Sequence, residues 1–246
     1  SGKLVRVVGL TLEAKGISAP LGAHCQVETA EKNVFIDAEV VGFHEELLFL
    51  MPFTEPLGIG PGARVWVSPH SSKVVISDGL LGRVLDGLGQ PIDNKGSIPN
   101  PKKFALASAL VNPMERGPID KVLDTGIKAI DTCLTLGQGQ RIGLMAGSGV
   151  GKSVLLGMLI RNTEADVVVI GLIGERGREV REFLESDLGE EGMRRSVVII
   201  ATSDQPALVR IRAAFTASRI AEWFRDQGKD VLFMMDSLTR CCMAQR

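Results

Sequence analysis

The chain has 246 residues and a formal net charge of −1, with 28 Lys and Arg against 29 Asp and Glu. Its basic residues are scattered, which argues against a nucleic-acid-binding stripe and against a polybasic membrane surface. No apolar run reaches the ~18 residues of a membrane-spanning helix, and the start of the chain lacks the order of a signal peptide. The four cysteines show neither CxxC spacing nor a disulfide-rich pattern. We therefore expect a soluble protein of the reducing cytoplasm.

The first part of the chain has the pattern of a small all-β unit. Between Leu4 and Pro69 the apolar residues come in short runs rich in Val, Leu and Phe, separated by Gly and Pro. This pattern predicts a β-barrel or sandwich, and we assign residues 1–70 to an N-terminal β-barrel domain. Residues 86–104 are rich in Gly, Pro and Asn, and we predict a loop-rich connection there.

From Asp120 onward, strands and helices are predicted to alternate. The apolar runs short enough for buried strands are QRIGLMA, DVVVIGLIG, SVVIIAT and DVLFMMD. A helix is predicted over residues 123–134 from the spacing of its apolar residues, and others over 152–162, 178–186 and 208–226. Alternation of this kind predicts an α/β fold, a parallel sheet with helices on both faces. We assign it to residues 71–246.

The stretch LMAGSGVGKSV, residues 144–154, follows one predicted strand and opens a predicted helix. It is a phosphate-binding loop (Walker A motif) that ends in Gly151, Lys152 and Ser153, with Ala146 in place of the usual first Gly. Small residues let backbone N–H groups approach phosphate oxygens, and the helix N-terminus adds positive charge. Lys152 is predicted to reach the β- and γ-phosphates of ATP, and the Ser153 hydroxyl to bind Mg²⁺. The predicted nucleotide-binding residues are Gly147, Ser148, Gly149, Val150, Gly151, Lys152, Ser153 and Val154.

Two acids follow predicted strands at the side of the sheet where ligands bind. Asp236 ends DVLFMMD, and Glu175 follows DVVVIGLIG. Since the carboxyl ends of parallel strands share one edge, both acids fall on the phosphate-loop side. A strand-end cap and a surface ion pair are the alternative interpretations. We favour Asp236 as the acid that holds Mg²⁺ through water and Glu175 as the residue that orients or deprotonates the attacking water.

A resemblance to the ATPases of bacterial type III protein export covers nearly the whole chain. The segments that carry it are PMERGPIDKVLDTGIKAIDTCLTLGQGQRIGLMAGSGVGKSVLLGML, GLIGERGREVREF, ATSDQPALVRIRAA and MMDSLTR. That family serves the flagellum and the injectisome and is related to the catalytic subunit of the rotary ATP synthase. The resemblance implies a RecA-like P-loop core behind a β-barrel, and ATP hydrolysis that energises export, with unfolding or chaperone release of the substrates. LFLMP and GSGVGKSVLLGM resemble the flagellar branch.

Residue by residue, the resemblance implies the same site. It makes Lys152 and Ser153 the phosphate-loop ligands, Glu175 the catalytic glutamate, Arg176 a neighbour of the γ-phosphate and Asp236 the acid beside Mg²⁺. It further implies a homo-hexamer whose partners are stalk and regulator proteins, export substrates and chaperones, and not nucleic acid. The implied location is the cytoplasmic face of the membrane, next to the membrane-embedded export gate.

The chain departs from the family pattern in two places. Cys241 and Cys242 stand where the family usually has an aromatic residue after SLTR. The family also continues beyond Arg246, with an arginine finger, adenine-facing residues and C-terminal helices. We therefore expect a core truncated at its C-terminus, which binds Mg²⁺-nucleotide weakly and is nearly inactive by itself.

Two alternative functions stay open at this point. A rotary or vacuolar-type ATPase subunit usually carries a Gly-Gly-Ala-Gly-Val-Gly-Lys-Thr type of loop, whereas residues 146–153 follow the export pattern. A nucleic-acid-dependent ATPase similar to the termination factor Rho would need stacking aromatics interleaved with basic residues in its β-domain. Residues 4–69 contain few such combinations.

Overall fold

The structure is a computed structural model and describes residues 1–68, 73–107, 111–147 and 149–246. Six antiparallel strands close into a barrel in the order β1-β2-β5-β4-β3-β6. They are β1 (Gly2–Val8), β2 (Thr11–Lys15), β3 (His24–Glu28), β4 (Phe35–His44), β5 (Leu47–Pro52) and β6 (Arg64–Val67). Every second residue of β5 is buried, as a barrel wall requires. The interior holds small and branched apolar side chains, among them Leu12, Ala14, Val27, Val40 and Leu50.

The barrel at the start of the chain confirms the expectation from the sequence. The predicted domain boundary at residues 70 and 71 falls outside the described residues and stays a prediction. In the part of the chain that the structure describes, no helix is long and apolar enough to cross a membrane.

A four-stranded parallel sheet, in the order β14-β12-β13-β8, forms the second part of the molecule. Its strands and those of two small two-stranded sheets are β7 (Lys73–Ile76), β8 (Arg83–Asp86), β9 (Lys102–Ala105), β10 (Val122–Leu123), β11 (Leu136–Gly137), β12 (Val167–Ile173), β13 (Ser196–Ala201) and β14 (Val231–Asp236). All residues of β12 and β13 are buried, which explains their continuous apolar runs. The predicted strands DVVVIGLIG, SVVIIAT and DVLFMMD are confirmed as β12, β13 and β14.

Helices cover both faces of this sheet, as the alternation predicts. They are α1 (Lys128–Cys133), α2 (Lys152–Asn162), α3 (Gly177–Glu182), α4 (Gly189–Arg194), α5 (Ala207–Asp226) and α6 (Leu238–Gln245). One face packs against α2, α3 and the wide π-helical turn Phe183–Leu188. The other face packs against α5, whose buried side chains include Ala213, Ala217 and Ile220.

The predicted strand QRIGLMA is wrong in this structure. Residues 140–146 form no strand, and among the described residues β14 ends the sheet, paired with β12. Ile142 and Met145 are exposed. An apolar run becomes a strand only where its backbone finds a ladder partner. Glycine at positions 139, 143 and 147 raises the entropic cost of extending this segment.

The sequence also misplaced the bounds of two helices and missed one strand. The helix predicted over 123–134 is shorter in the structure, where α1 covers Lys128–Cys133. It begins late because Asp124, Thr125 and Gly126 form a turn in which the Asp124 carboxylate accepts the Gly126 N–H. The helix predicted over 178–186 ends early in the wide turn, where Arg161 donates to the Asp187 carbonyl. Strand β8 was missed because its four residues adjoin the segment predicted as loop, yet they pair with β13 inside the sheet.

Candidate nucleotide-binding site

The predicted phosphate-binding loop leads directly into α2. Gly149 and Gly151 have φ angles of 77° and 90°, in the left-handed region that glycine adopts at little cost. A Cβ added at Gly147, Gly149 or Gly151 would meet no atom within 4 Å, so the loop is open on its outer side. Ser148 lies outside the described residues. The loop conformation agrees with its sequence, because the positive φ angles among its described residues fall on glycines.

Lys152 is the first residue of α2, and its ammonium meets the carboxylate at the end of β14. The distance from Lys152 Nζ to Asp236 Oδ1 is 2.6 Å, although the two residues are 84 apart in the chain. Both side chains are half-buried or more, with 30% and 14% of their surface exposed. The structure thus brings together two of the predicted site residues, one from each of two distant motifs.

Glu175 lies on the same side of the sheet, just after β12. Its carbonyl accepts the Ser203 N–H, and Gly174 donates to the Ala201 carbonyl, so the β13 end holds this backbone in place. Burial raises the pKa of Glu175, and a hydrogen bond with Glu179 and the charge of Asp236 raise it further. The positive charges of Arg240 and Lys152 oppose that shift in pKa. Glu175 is therefore a partly desolvated carboxyl within the electrostatic reach of the Lys152–Asp236 pair.

Arg240 is a site residue that reasoning from the sequence missed. It lies on α6, and its guanidinium approaches Glu175 Oε1 at 3.5 Å and donates to the Gly174 carbonyl. A Cβ at Gly174 would come within 2.7 Å of Arg240 Cδ, so this close packing needs glycine there. Ser237 caps α6 by accepting the Arg240 N–H, which fixes the first turn of the helix. A signal was present, since Arg240 follows Asp236 by one helical turn within SLTR.

Arg176 does not join this cluster. Its guanidinium pairs with Glu179 at 3.3 Å, and 62% of its side chain is exposed. Val150, Ser153 and Val154 are exposed at the start of α2. Among the predicted site residues the structure thus gathers Lys152, Asp236 and Glu175, whereas Arg176 faces solvent.

Known proteins similar to this chain include members of a nucleotide-binding family. The profile of the ATP synthase alpha/beta family, nucleotide-binding domain, matches residues 126–246. The flagellum-specific ATP synthase of Bacillus subtilis (strain 168) is 51% identical over 246 residues, which are 100% of this chain and 56% of that protein. The flagellum-specific ATP synthase of Salmonella typhimurium (strain LT2) is 52% identical over 254 residues, with 100% and 56% covered.

A solved structure extends the similarity to the whole fold. The assembled ATPase EscN in complex with its central stalk EscO, from the type III secretion system of enteropathogenic E. coli, matches with a TM-score of 0.91. The identity is 43%, over 100% of this chain and 60% of that one. Over its whole length this chain is similar to the type III export ATPases. It spans a little over half the length of the curated relatives it matches. The predicted family resemblance and the predicted barrel followed by a parallel P-loop core are confirmed.

Proposed function

We propose that this protein hydrolyses ATP to ADP and phosphate and thereby energises bacterial type III protein export, in the flagellar branch. The observation that carries the proposal is the contact between Lys152, at the end of a phosphate-binding loop, and Asp236, at the end of a parallel strand. The carboxyl ends of parallel strands are where α/β sheets bind their ligands. The names of the flagellar relatives support the choice of branch.

The residues present fit a magnesium nucleotide. The open glycine loop offers backbone N–H groups to phosphate oxygens, Lys152 offers an ammonium, and Ser153 and Asp236 offer the hard oxygen atoms that Mg²⁺ prefers. When bound, Mg²⁺ neutralises charge on the phosphate oxygens. Val154 and the first turn of α2 add the positive end of the helix dipole.

The chain's own groups divide the chemistry between them. When nucleotide enters, the Lys152 side chain moves from Asp236 to the phosphates. Its ammonium then stabilises the negative charge that develops on the phosphate oxygens. Glu175 orients the attacking water and accepts its proton, a role that suits a carboxyl whose burial raises its pKa. Arg176 reaches the γ-phosphate by turning from Glu179, which its exposed side chain allows.

The assembly and the partners are part of the proposal. EscN is described as assembled and as bound to its central stalk EscO. We propose that this protein likewise works as a homo-hexamer on a stalk, with regulator proteins, export substrates and chaperones as further partners. Unfolding of substrates and release of chaperones at the inner face of the cytoplasmic membrane complete the proposed role.

The test is ATP hydrolysis by the full-length protein after Lys152→Ala. Because the substitution removes charge-assisted contacts to phosphate, phosphate release should fall by ~10²-fold or more while the thermal midpoint changes little. The matched control is Lys32→Ala, on an exposed turn of the barrel, which should leave hydrolysis unchanged. Hydrolysis that survives Lys152→Ala within about tenfold would refute the assignment of the loop.

A further inference from the structure

A buried ion pair joins the barrel to the nucleotide-binding part of the molecule. Arg212 Nη1, on α5, lies 3.2 Å from Glu39 Oε2, on β4 of the barrel. Only 12% and 19% of the two side chains are exposed. The pair therefore lies in the contact between the two parts, away from bulk water.

The position of Glu39 makes this burial unusual. On β4, Ala38 and Val40 point into the barrel, and Glu39 between them points outward. An outward carboxylate of a barrel normally faces water, but here α5 covers it. Burial raises the pKa of Glu39, and the charge of Arg212 opposes that shift in pKa. Because Glu39 Oε2 accepts no hydrogen bond from the described residues, the positive charge of Arg212 is its main compensation.

An aromatic ring of the barrel also contacts the same arginine. Its guanidinium lies 5.1 Å from the centroid of the ring of Phe53, the residue that follows the barrel strand β5. The His24 ring stacks on Phe53 at 5.6 Å between centroids. Phe53 belongs to the buried core that α5 forms with the sheet. Arg212 thus contacts the barrel through a charge pair and through a cation–π contact at once.

We propose that Arg212 and Glu39 form a joint that locks the barrel onto α5, so that the barrel and the nucleotide-binding part unfold as one cooperative unit. Helix α5 begins directly after the loop in which Ser203 donates to the Glu175 carbonyl. The joint therefore ties the barrel to the element that borders the candidate site. This inference does not depend on the proposed function, because the pair needs no nucleotide to form.

The physical reason lies in the cost of a buried charge without its partner. Removing one member of a buried ion pair leaves the other desolvated and uncompensated, which is strongly destabilising. The cost can be relieved if the barrel separates from α5 and the remaining charge regains water. Loss of either member should therefore uncouple the two parts before it unfolds either one.

Two spectroscopic signals allow each part to be followed separately. Trp66 lies on β6 of the barrel, and Trp223 is buried on α5. In a Trp223→Phe background the fluorescence of Trp66 reports the barrel, and the helical circular-dichroism signal of the same protein reports α5. Thermal unfolding of the full chain should give coincident midpoints for these two signals.

Arg212→Ala or Glu39→Gln should separate the two midpoints by about 5 °C or more. The second substitution keeps the size of the side chain, so it serves if Arg212→Ala does not fold. Exchanging the charges, with Glu39→Arg and Arg212→Glu in one chain, should bring the midpoints back within about 2 °C. The matched control is Arg64→Ala, which breaks a solvent-accessible pair with Glu28 on the outer surface of the barrel and should leave the midpoints coincident.

Three results would overturn the proposal. The first is separate midpoints without any change at Arg212 or Glu39. The second is coincident midpoints in both Arg212→Ala and Glu39→Gln. The third is a charge exchange that leaves the midpoints apart, because packing and not charge would then hold the joint.

Discussion

Lys152 Nζ and Asp236 Oδ1 lie 2.6 Å apart. The Lys152 ammonium is thus paired with the carboxylate that we propose to lie beside Mg²⁺. Asp236→Asn removes that charge while keeping the shape of the side chain. Nucleotide affinity without Mg²⁺ should stay the same or rise, since Lys152 is released toward phosphate. The gain in affinity that Mg²⁺ provides should fall about tenfold or more. Titrations with a fluorescent nucleotide, with and without Mg²⁺, measure both values, and an unchanged Mg²⁺ effect would contradict the role of Asp236.

Glu175→Gln separates binding from chemistry. The amide keeps the size of the carboxyl but cannot accept a proton from water, so turnover should fall by ~10²–10⁴-fold while nucleotide affinity persists. Glu185→Gln is the control, because Glu185 lies on the exposed wide turn, paired with Arg181, and should change neither quantity. An equal loss of affinity and turnover in Glu175→Gln would show that Glu175 is structural.

Arg240 is expected to position Glu175. Arg240→Ala removes the contacts to Glu175 and to the Gly174 carbonyl, so turnover should fall ~10-fold or more with a smaller change in KM. Arg240→Lys should recover only part of the loss, since an ammonium lacks the planar donors of the guanidinium. Cys242→Ser, on the exposed face of the same helix, is the control. Steady-state kinetics and the thermal midpoint should be measured for each variant. A change in the midpoint without a change in turnover would contradict the positioning role of Arg240.

Lowering the pH should reduce the free energy of unfolding through protonation of Asp93. Its carboxylate forms a buried pair with Arg83 and accepts the Val84 and Lys95 N–H groups. Burial alone would raise the pKa of Asp93, but these hydrogen bonds outweigh it and hold the pKa well below its usual value. A lowered folded-state pKa adds stability that is complete above the unfolded value of about 3.9 and is lost as the pH falls further.

Asp93→Asn should therefore reduce the free energy of unfolding at pH 7 by about 3–5 kcal/mol, the usual cost of breaking a buried pair. The difference in the free energy of unfolding between wild type and Asp93→Asn should shrink below about pH 4, because the stability contributed by the ionised Asp93 carboxylate is lost there. Urea unfolding between pH 7 and pH 3 measures this difference. A difference that stayed constant across that range would contradict the role of the ionised carboxylate.

The cysteines should react with a thiol reagent in a fixed order. Cys133 and Cys242 are exposed, Cys241 is half-buried, and Cys25 is inside the barrel. Burial raises the pKa of the Cys25 thiol to about 11, so its reactive thiolate is scarce at pH 8. Cys133 and Cys242 should be labelled first and Cys25 only on unfolding, which peptide mapping by mass spectrometry would follow. Early labelling of Cys25 would mean that the barrel is open in solution.

Much of the fold followed from local features of the sequence. The closed barrel, the strands β12, β13 and β14 and the helices α2 and α5 were predicted, because short apolar runs and helical spacing record which faces are buried. Segment 140–146 was mispredicted as a strand, and β8 was missed. Both depend on pairing with a distant strand, which a local pattern does not encode.

In the candidate site, too, some features follow from the local sequence and others from the tertiary structure. The sequence by itself determined the loop that we propose binds phosphate, because glycine at 149 and 151 and the Lys152–Ser153 pair report backbone geometry and charge at adjacent positions. Only the tertiary structure decided which side chains meet there. It brought Asp236 to Lys152 across 84 residues, placed Arg240 and not Arg176 against Glu175, and put Arg212 against the barrel. Such contacts depend on strand order and helix packing, which arise from the burial of the whole chain and not from any one segment of it.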